Sequence, residues 1–423
     1  MPGPQRGVSL RGRKLMKISI VGGCGHVGLP LGLAFAQLPN HDVTLLDINT
    51  AVVDAVNRGK MPFMEAGADA VLPKVIGRSL RATSDTHCLR DADVVITVIG
   101  TPVDEHLNPT VSTLYKNIDE LLGEMTPGAL LVLRSTVYPG ITQLIYERIK
   151  SLGSKIAMAF CPERIAEGRA LEELTTLPQI VSAFEEDAME RAAALFGALA
   201  PTIIRMQPLE AELAKLFTNS WRYLNFAISN QFYMLSKEYG LDFHRIHDAV
   251  TFQYPRMKSF AAAGFAAGPC LLKDTLQLAA FANNKFFLGH AAMLVNEGLP
   301  NFLVDELREK HDLRKRTVAI LGMAFKADCD DTRESLSYKL KHLLEVYAKQ
   351  VLCSDPFAKD PHLVSMREAI EKADIIVIGV PHTAYRDLHI PSGKYVVDVW
   401  GLMRERKEAA PQAASFTGSG VRR

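Results

Sequence analysis

Apolar runs rich in β-branched residues alternate with helical periodicity along the N-terminal half of the chain, and this alternation limits the fold more than any other feature. The runs are Ile18–Gly22, Val43–Ile48, Val94–Ile99, Ala129–Leu133, Ile156–Phe160, Gln179–Ser182 and Thr202–Arg205. They are continuously apolar rather than alternating, the pattern of parallel strands covered on both faces. From Glu210 to about Leu241 the period becomes helical, with Ala211, Leu213, Ala214, Leu216 and Phe217 followed by Trp221, Leu224, Ile228, Phe232 and Leu235 at steps of three and four. No strand signal returns until Thr317. A second α/β unit then follows the charged stretch 305–316, with strands in "TVAILGMAF" (317–325), "VLCSDPF" (351–357), "ADIIVIGVPH" (373–382) and "YVVDVW" (395–400).

The two α/β units read as a degenerate repeat. "KISIVGG" pairs with "TVAILGM", "VTLLDIN" with "VLCSDPF", and "DADVVITVIGTP" with "KADIIVIGVPH"; convergent strand composition is the alternative. The expected fold class is therefore α/β, with two Rossmann-like, doubly wound parallel-sheet lobes joined by a central helical region containing a long helix. A chain of 423 residues is long for one core. The division expected is an extension over 1–16, a dinucleotide lobe over 17–207, a helical domain over 208–312, a second lobe over 313–403 and a tail over 404–423. The long helix offers either a dimer surface, which predicts a homodimer, or plain core packing.

Composition removes several function classes. A formal net charge of +1 creates no general attraction for nucleic acid or an anionic membrane. No apolar run approaches the roughly 20 residues of a membrane span, and the basic N-terminus (Arg6, Arg11, Arg13, Lys14, Lys17) is not followed by the apolar segment of a secretory signal. The 6 cysteines are scattered, without a CxxC pair or Cys/His ligand spacing. This predicts reduced thiols in a cytoplasmic protein, and neither a disulfide framework nor a metal site.

"VGGCGHVGLPLGLAFA" carries Gly23-x-Gly25-x-x-Gly28 directly after a strand and at the start of a helix. Gly23 permits a tight turn, Gly25 lets backbone approach a pyrophosphate, and Gly28 permits close helix–strand packing beside the helix N-terminus. His26 and Val27 lie inside the turn. Asp47 ends the next strand about twenty residues on, where a carboxylate accepts from ribose hydroxyls. Ile48, Asn49 and Thr50 after it offer no cation for a 2′-phosphate, so the cofactor expected is NAD rather than NADP. The second unit keeps only Gly322 in "LGMAFK", and its Lys326 suits a mononucleotide or diphosphate.

Polar residues occur where a core would not choose them. "RSTVYPG" puts Ser135 and Thr136 at the C-terminal end of a strand, the functional edge of such a sheet. "CPERIAEG" puts Glu163 and Glu167 just past the next one. In "EAELAKLFTNSW" Lys215 and Asn219 share one helix face at i, i+4. "AAGPCLLKD" sets Cys270 after a Gly-Pro turn and before Lys273 and Asp274, in an otherwise small and apolar segment.

This order of motifs resembles the UDP-glucose/GDP-mannose dehydrogenase family, the nucleotide-sugar 6-dehydrogenases, from about Lys17 to Leu402. The matching stretches are the glycine turn, "STVYPG", "CPERIAEG", "EAELAKLFTNS", "GPCLLKD", "GMAFKADCDDTRES" and "DVWG". The resemblance implies an NAD-dependent four-electron oxidation of a sugar C6 alcohol to the carboxylate. It implies Cys270 as nucleophile, Lys215 as the cation for a developing oxyanion, Asn219 and Asp274 around a catalytic water, and Glu163 with Thr136 for thioester hydrolysis. It places Thr101, Glu167, Lys273 and Arg333 at the cofactor. Arg256, Phe265, Gly268 and Lys326 it places at the substrate.

Ala267 and Leu272 depart from the glycine and proline usual around the family's nucleophile, which puts the geometry of that loop in question. The motifs lean toward a UDP-N-acetylhexosamine such as UDP-N-acetylmannosamine. Alternatives are UDP-glucose with the same mechanism, a two-electron β-hydroxy-acid dehydrogenase that would need neither Cys270 nor a second lobe, and a non-catalytic binding protein.

Overall fold

The computed structural model describes residues 15–100 and 110–404. Eight strands form the first sheet: β1 (Met16–Val21), β2 (His41–Leu46), β3 (Leu80–Thr83), β4 (Val94–Thr97), β5 (Leu130–Leu133), β6 (Ala157–Phe160), β7 (Gln179–Ala183) and β8 (Ile203–Met206). Their order is β3-β2-β1-β4-β5-β6-β7-β8, so the strand order reverses beside β1, where an open α/β sheet forms its binding crevice. The second sheet contains β9 (Thr317–Leu321), β10 (Gln350–Ser354), β11 (Ile375–Ile378) and β12 (Tyr395–Asp398) in the order β10-β9-β11-β12. Both sheets are buried on both faces. One layer of the first holds Ile18, Ile20, Val43 and Leu45, the other Leu46, Val95, Leu131 and Phe160.

The repeat read in the sequence is present in three dimensions, because β10-β9-β11-β12 reproduces β2-β1-β4-β5. A hydrogen bond repeats with it. Asp93, just before β4, accepts from Lys17 N at 2.9 Å, and Asp374, just before β11, accepts from Thr317 N at 2.8 Å. The repeat diverges at the binding edge. Asp47 accepts from Cys24 N and Asn49 N, both at 3.1 Å, and stays partly exposed. Its counterpart Asp355 is occupied on all sides by Met323 N, Ala324 N, Phe357 N, Ala358 N and the buried His382 ring. A carboxylate so saturated has no free lone pair for a ribose.

Two features differ from the sequence expectation. β3 was not anticipated, because "LRAT" alternates buried and exposed positions at the sheet edge instead of running continuously apolar. The sheet is also not parallel throughout: β7 pairs antiparallel to β6, with Ala159 opposite Ala183 and Phe160 opposite Ser182. The connection over 161–178 stays at the C-terminal end of β6, so β7 starts at the catalytic edge and brings Gln179 there.

Between the sheets runs the helix Pro208–Glu238, 31 residues long, opened by Pro208 and a capping box between Gln207 and Glu210. One face buries Leu216, Asn219, Tyr223, Asn230 and Tyr233, packed on the helices Leu271–Phe281 and Phe287–Lys310. The opposite face exposes Phe217, Trp221, Ile228, Phe232 and Leu235, with Trp221 59% exposed. Plain core packing is therefore not the role of that stripe.

The glycine turn tolerates no side chain at its first position. A Cβ on Gly23 would meet Ile20 O at 2.6 Å and Leu45 Cα at 2.8 Å, both backbone. Gly23→Ala is expected to cost roughly 1–3 kcal/mol by overpacking, read as a lower urea midpoint with unchanged slope, together with weaker NAD binding by titration.

Candidate active site

The two lobes and the helical domain meet at a cleft of about 470 Å³ lined by Val27, Thr136, Glu163, Lys215, Asn219 and Cys270, among others. The C-terminal ends of β5 and β6 supply Thr136 and Glu163, and the long helix supplies Lys215 and Asn219 one turn apart. Cys270 caps the N-terminus of the helix Leu271–Phe281 and is open to the cleft while the protein walls its other sides. Lys273, Gly268 and Lys326 line the same space.

Gly268 explains the Gly-Pro turn. Its φ is +100°, and a Cβ there would meet the Phe325 ring at 2.6 Å. Its N–H donates to Glu334 O at 3.2 Å, which ties the Cys270 loop to the second lobe. The two departures from the family pattern are harmless to this geometry. Ala267 is absent from the residues with positive φ, so no glycine is required there. Leu272 lies in the first turn of the Leu271–Phe281 helix, where proline is tolerated because its missing N–H has no partner to lose. Leucine keeps the same backbone.

Burial dominates the electrostatics. Asn219 Nδ2 donates to Asp274 Oδ2 at 2.6 Å, and both residues are buried. Lys273 Nζ stands 3.9 Å from the other carboxylate oxygen. Burial pushes the Asp274 carboxyl up against the pull of Lys273 and Lys215. Burial pulls the Lys215 ammonium down, opposed by Asp274, Cys270 and Glu163. The Cys270 thiol is pushed up by burial and by Asp274, and brought down by Lys215 and Lys273; the helix N-terminus also favours its thiolate. Lys215 is thus a desolvated cation facing Asp274, Cys270 and Glu163, the arrangement that stabilises negative charge developing on oxygen.

At the cofactor side, the fit to a dinucleotide rests on the glycine turn. Beside Gly25 only Gly22 O lies within 4 Å of an added Cβ, at 3.7 Å, so its backbone is open to approach. Gly28 is the opposite case: its Cβ would strike Gly22 O at 2.6 Å, so the helix N-terminus sits tight on the turn and directs its N–H groups outward. Asp47 holds the turn through Cys24 N. His26 stacks on Phe63 with ring centroids 4.0 Å apart. Glu167, whose carboxyl is pushed up by burial and Asp331, meets Arg333 at 3.4 Å, while Lys326 Nζ donates to the Glu167 carbonyl. These contacts join the first lobe to the second. His26, Glu167 and Asp331 each bring a donor atom within 4.8 Å of the others, but Arg333 already grips Asp331 with Nε–Oδ distances of 3.0 and 2.8 Å and supplies the cation.

Not every expected residue reaches the cleft. Phe265 is packed in the core with Tyr233, Leu299 and Met323, and Phe260 of the same small-residue loop packs against that cluster. Arg256 sits on the turn Pro255–Met257, with Nη1 donating to the Tyr254 hydroxyl at 3.0 Å, and is not among the cleft-lining residues. Thr101 lies outside the described residues.

Conversely, sequence reading passed over three residues. Arg134 is fully buried and ion-paired to Glu163. Glu212 receives Gly140 N at 2.6 Å and Thr142 N at 2.8 Å, fastening the "STVYPG" loop to the long helix. Arg222 lines the cleft one turn beyond Asn219. The available signal was position: Glu212 and Arg222 share the helix face of Lys215 and Asn219, and Arg134 ends β5. Because Lys215 lowers the thiol's proton affinity, Lys215→Met is expected to slow alkylation of Cys270 by iodoacetamide at neutral pH severalfold and to move the midpoint of the rate–pH profile upward.

Comparison with known proteins agrees with this geometry. Three domain descriptions of one family match consecutive parts of the chain: the NAD binding domain over residues 16–200, the central domain over 209–297 and the UDP binding domain over 319–405. The chain is 29% identical over 410 residues to a UDP-N-acetyl-D-mannosamine dehydrogenase of Pyrococcus horikoshii, covering 92% of this chain and 96% of that protein. It is 30% identical over 432 residues to a GDP-mannose 6-dehydrogenase of Pseudomonas putida, covering 92% and 97%. Among solved structures, a UDP-glucose dehydrogenase of Pyrobaculum islandicum superposes with a TM-score of 0.85 at 26% identity, covering 94% of this chain and 97% of that one. With the glycine turn, the paired lobes and the cysteine cleft all in place, the chain belongs to the UDP-glucose/GDP-mannose dehydrogenase family of NAD-dependent nucleotide-sugar dehydrogenases.

Proposed function

We propose that this protein oxidises the C6 hydroxyl of a nucleotide sugar to the carboxylate in two consecutive two-electron steps, with Cys270 as the covalent nucleophile. The observation that carries the reading is the convergence of Cys270, Lys215, Asn219 and Glu163 on one cleft between the two lobes. The Gly23–Gly28 turn and Asp47 would hold NAD, which would supply the hydride acceptor for each oxidation. The alcohol proton leaves with the first oxidation and an aldehyde forms at C6. An aldehyde has no second hydride to give until a nucleophile adds to it, which is the need a thiolate meets. Addition of Cys270 Sγ gives a thiohemiacetal whose oxyanion is held by Lys215. Loss of the second hydride leaves a thioester. Water then adds to the carbonyl, the C–S bond breaks, and the thiolate is restored on Cys270.

Asn219 and Asp274, already bonded to each other, are suited to hold that water beside the thioester. Asp274 is a candidate to take the first proton, since burial raises its affinity for one. Glu163 is the candidate base for hydrolysis, with Thr136 as its neighbour in the cleft. The UDP binding domain match over 319–405 favours a UDP-sugar on the Lys326 side. The run of UDP-N-acetyl-D-mannosamine dehydrogenases among the relatives favours a UDP-N-acetylhexosamine over UDP-glucose. The exposed stripe Phe217–Trp221–Ile228–Phe232 is suited to pair two copies of the chain into a homodimer, being too large and contiguous an apolar face for a free monomer.

With UDP-N-acetylmannosamine the expected yield is two NADH per sugar nucleotide, counted at 340 nm, and Cys270→Ala is expected to abolish the second while folding normally. One NADH per substrate, or full turnover in Cys270→Ala, would sink the mechanism. A parallel panel of UDP-glucose, UDP-N-acetylglucosamine and GDP-mannose tests the substrate. Trp221→Asp is expected to halve the mass seen by sedimentation equilibrium; an unchanged mass would exclude this face.

A further inference from the structure

We propose that Arg134 is a positioning residue for the second half of the reaction: it aims the Glu163 carboxylate at the thioester. The inference rests on the reading of Cys270 as the acylated residue. It adds a residue to which no role has been given.

The guanidinium is fixed through Nη1 and its stacking face, while Nε makes no hydrogen bond. Arg134 is fully buried at the end of β5. Nη1 donates to Gln179 Oε1 at 3.0 Å and to the Cys161 carbonyl at 3.3 Å. The Phe196 ring lies under the guanidinium at 4.7 Å from its centroid. Nη2 is left to face Glu163 Oε2, with which it forms a close ion pair. Glu163 is fixed from its other oxygen, since Oε1 accepts from Arg164 N at 2.7 Å and Ile165 N at 2.9 Å. A carboxylate has about four lone-pair positions, so three are used and one on Oε2 remains. Both residues line the cleft that holds Cys270 and Lys215. The pair therefore leaves a single oriented acceptor, on the buried Oε2 at the cleft wall.

A purely structural salt bridge is a poor explanation. Burying two charges gains little over apolar packing of the same volume, and this pair lies at the cleft wall rather than between lobes. The surrounding residues also serve the arginine more than the fold. Gln179 uses both ends of its amide here, accepting from Arg134 and donating to the Pro162 and Ile180 carbonyls. It reaches Arg134 only because β7 enters antiparallel. In hydrolysis, the water oxygen attacks the thioester carbon, one water proton passes to Glu163, and the sulfur leaves as the Cys270 thiolate. A base whose orientation is set by three fixed contacts loses little freedom at that moment.

The test uses the full-length enzyme with Arg134→Met, Arg134→Lys, Glu163→Gln and the Arg134→Met/Glu163→Gln pair. Rapid quench and intact mass follow acylation of Cys270, and stopped flow follows NADH. Arg134→Met is expected to form the acyl-enzyme at close to the wild-type rate and to hydrolyse it about 100-fold more slowly, within the range a positioned acid–base group contributes. The double variant is expected to hydrolyse no more slowly than Glu163→Gln alone, because Arg134 acts through Glu163. Arg134→Lys, which keeps the charge and loses the fork, is expected to recover part of the loss and serves if the Met variant does not fold. Wild-type hydrolysis in Arg134→Met or Arg134→Lys, equal slowing of acylation and hydrolysis, or losses that multiply in the double variant would overturn the proposal. A wild-type enzyme that never acylates Cys270 would instead overturn the reading of the function, and this role with it.

Discussion

The buried hydrogen bond between Asn219 and Asp274 is the contact on which the site depends. It joins the long helix to the helix that begins at Cys270, so the cation at Lys215 and the nucleophile cannot drift apart without breaking it. Inside a dry cleft such a bond is stronger than in water, and leaving either partner unpaired costs more. The same desolvation disfavours the charged form of each group, lowering the proton affinity of Lys215 and raising those of Asp274 and Cys270. One burial event thus sets the geometry and the protonation tendencies together.

Around this contact the two lobes play unequal parts although they share a topology. The first keeps an accessible carboxylate, Asp47, beside an open glycine turn. The second spends the equivalent carboxylate, Asp355, on its own backbone and on His382, and so gains a rigid edge in place of a ribose site. The lobes are held to face each other by Arg333 and Lys326 on Glu167 and by Asp330, which accepts from Met64 N. A cleft built this way is assembled from parts remote in sequence. Its shape therefore depends on the packing of all three regions at once.

Much of this was legible in the chain because the relevant periodicities are local. Continuous apolar runs identified all the buried strands, and the long helix announced itself through its three-and-four spacing. β3 escaped because an edge strand needs only one apolar face. Cys270, Lys215, Asn219 and Asp274 were readable as chemical anomalies in apolar settings. Phe265 and Arg256 were not: whether an aromatic fills a core or a cleft, and where an arginine on a short turn points, are settled by neighbours far away in sequence.

The sequence by itself determined the doubly wound lobes, their repetition, and the glycine turn with its acid. Each of these follows from local sterics and the spacing of apolar residues. Only the tertiary structure decided that β7 would run against β6 and deliver Gln179 to Arg134, that Arg134 would carry Glu163, and that Ala267 and Leu272 would leave the nucleophile loop undisturbed. Those outcomes rest on non-local contacts and backbone angles, for which no short stretch of sequence carries the information.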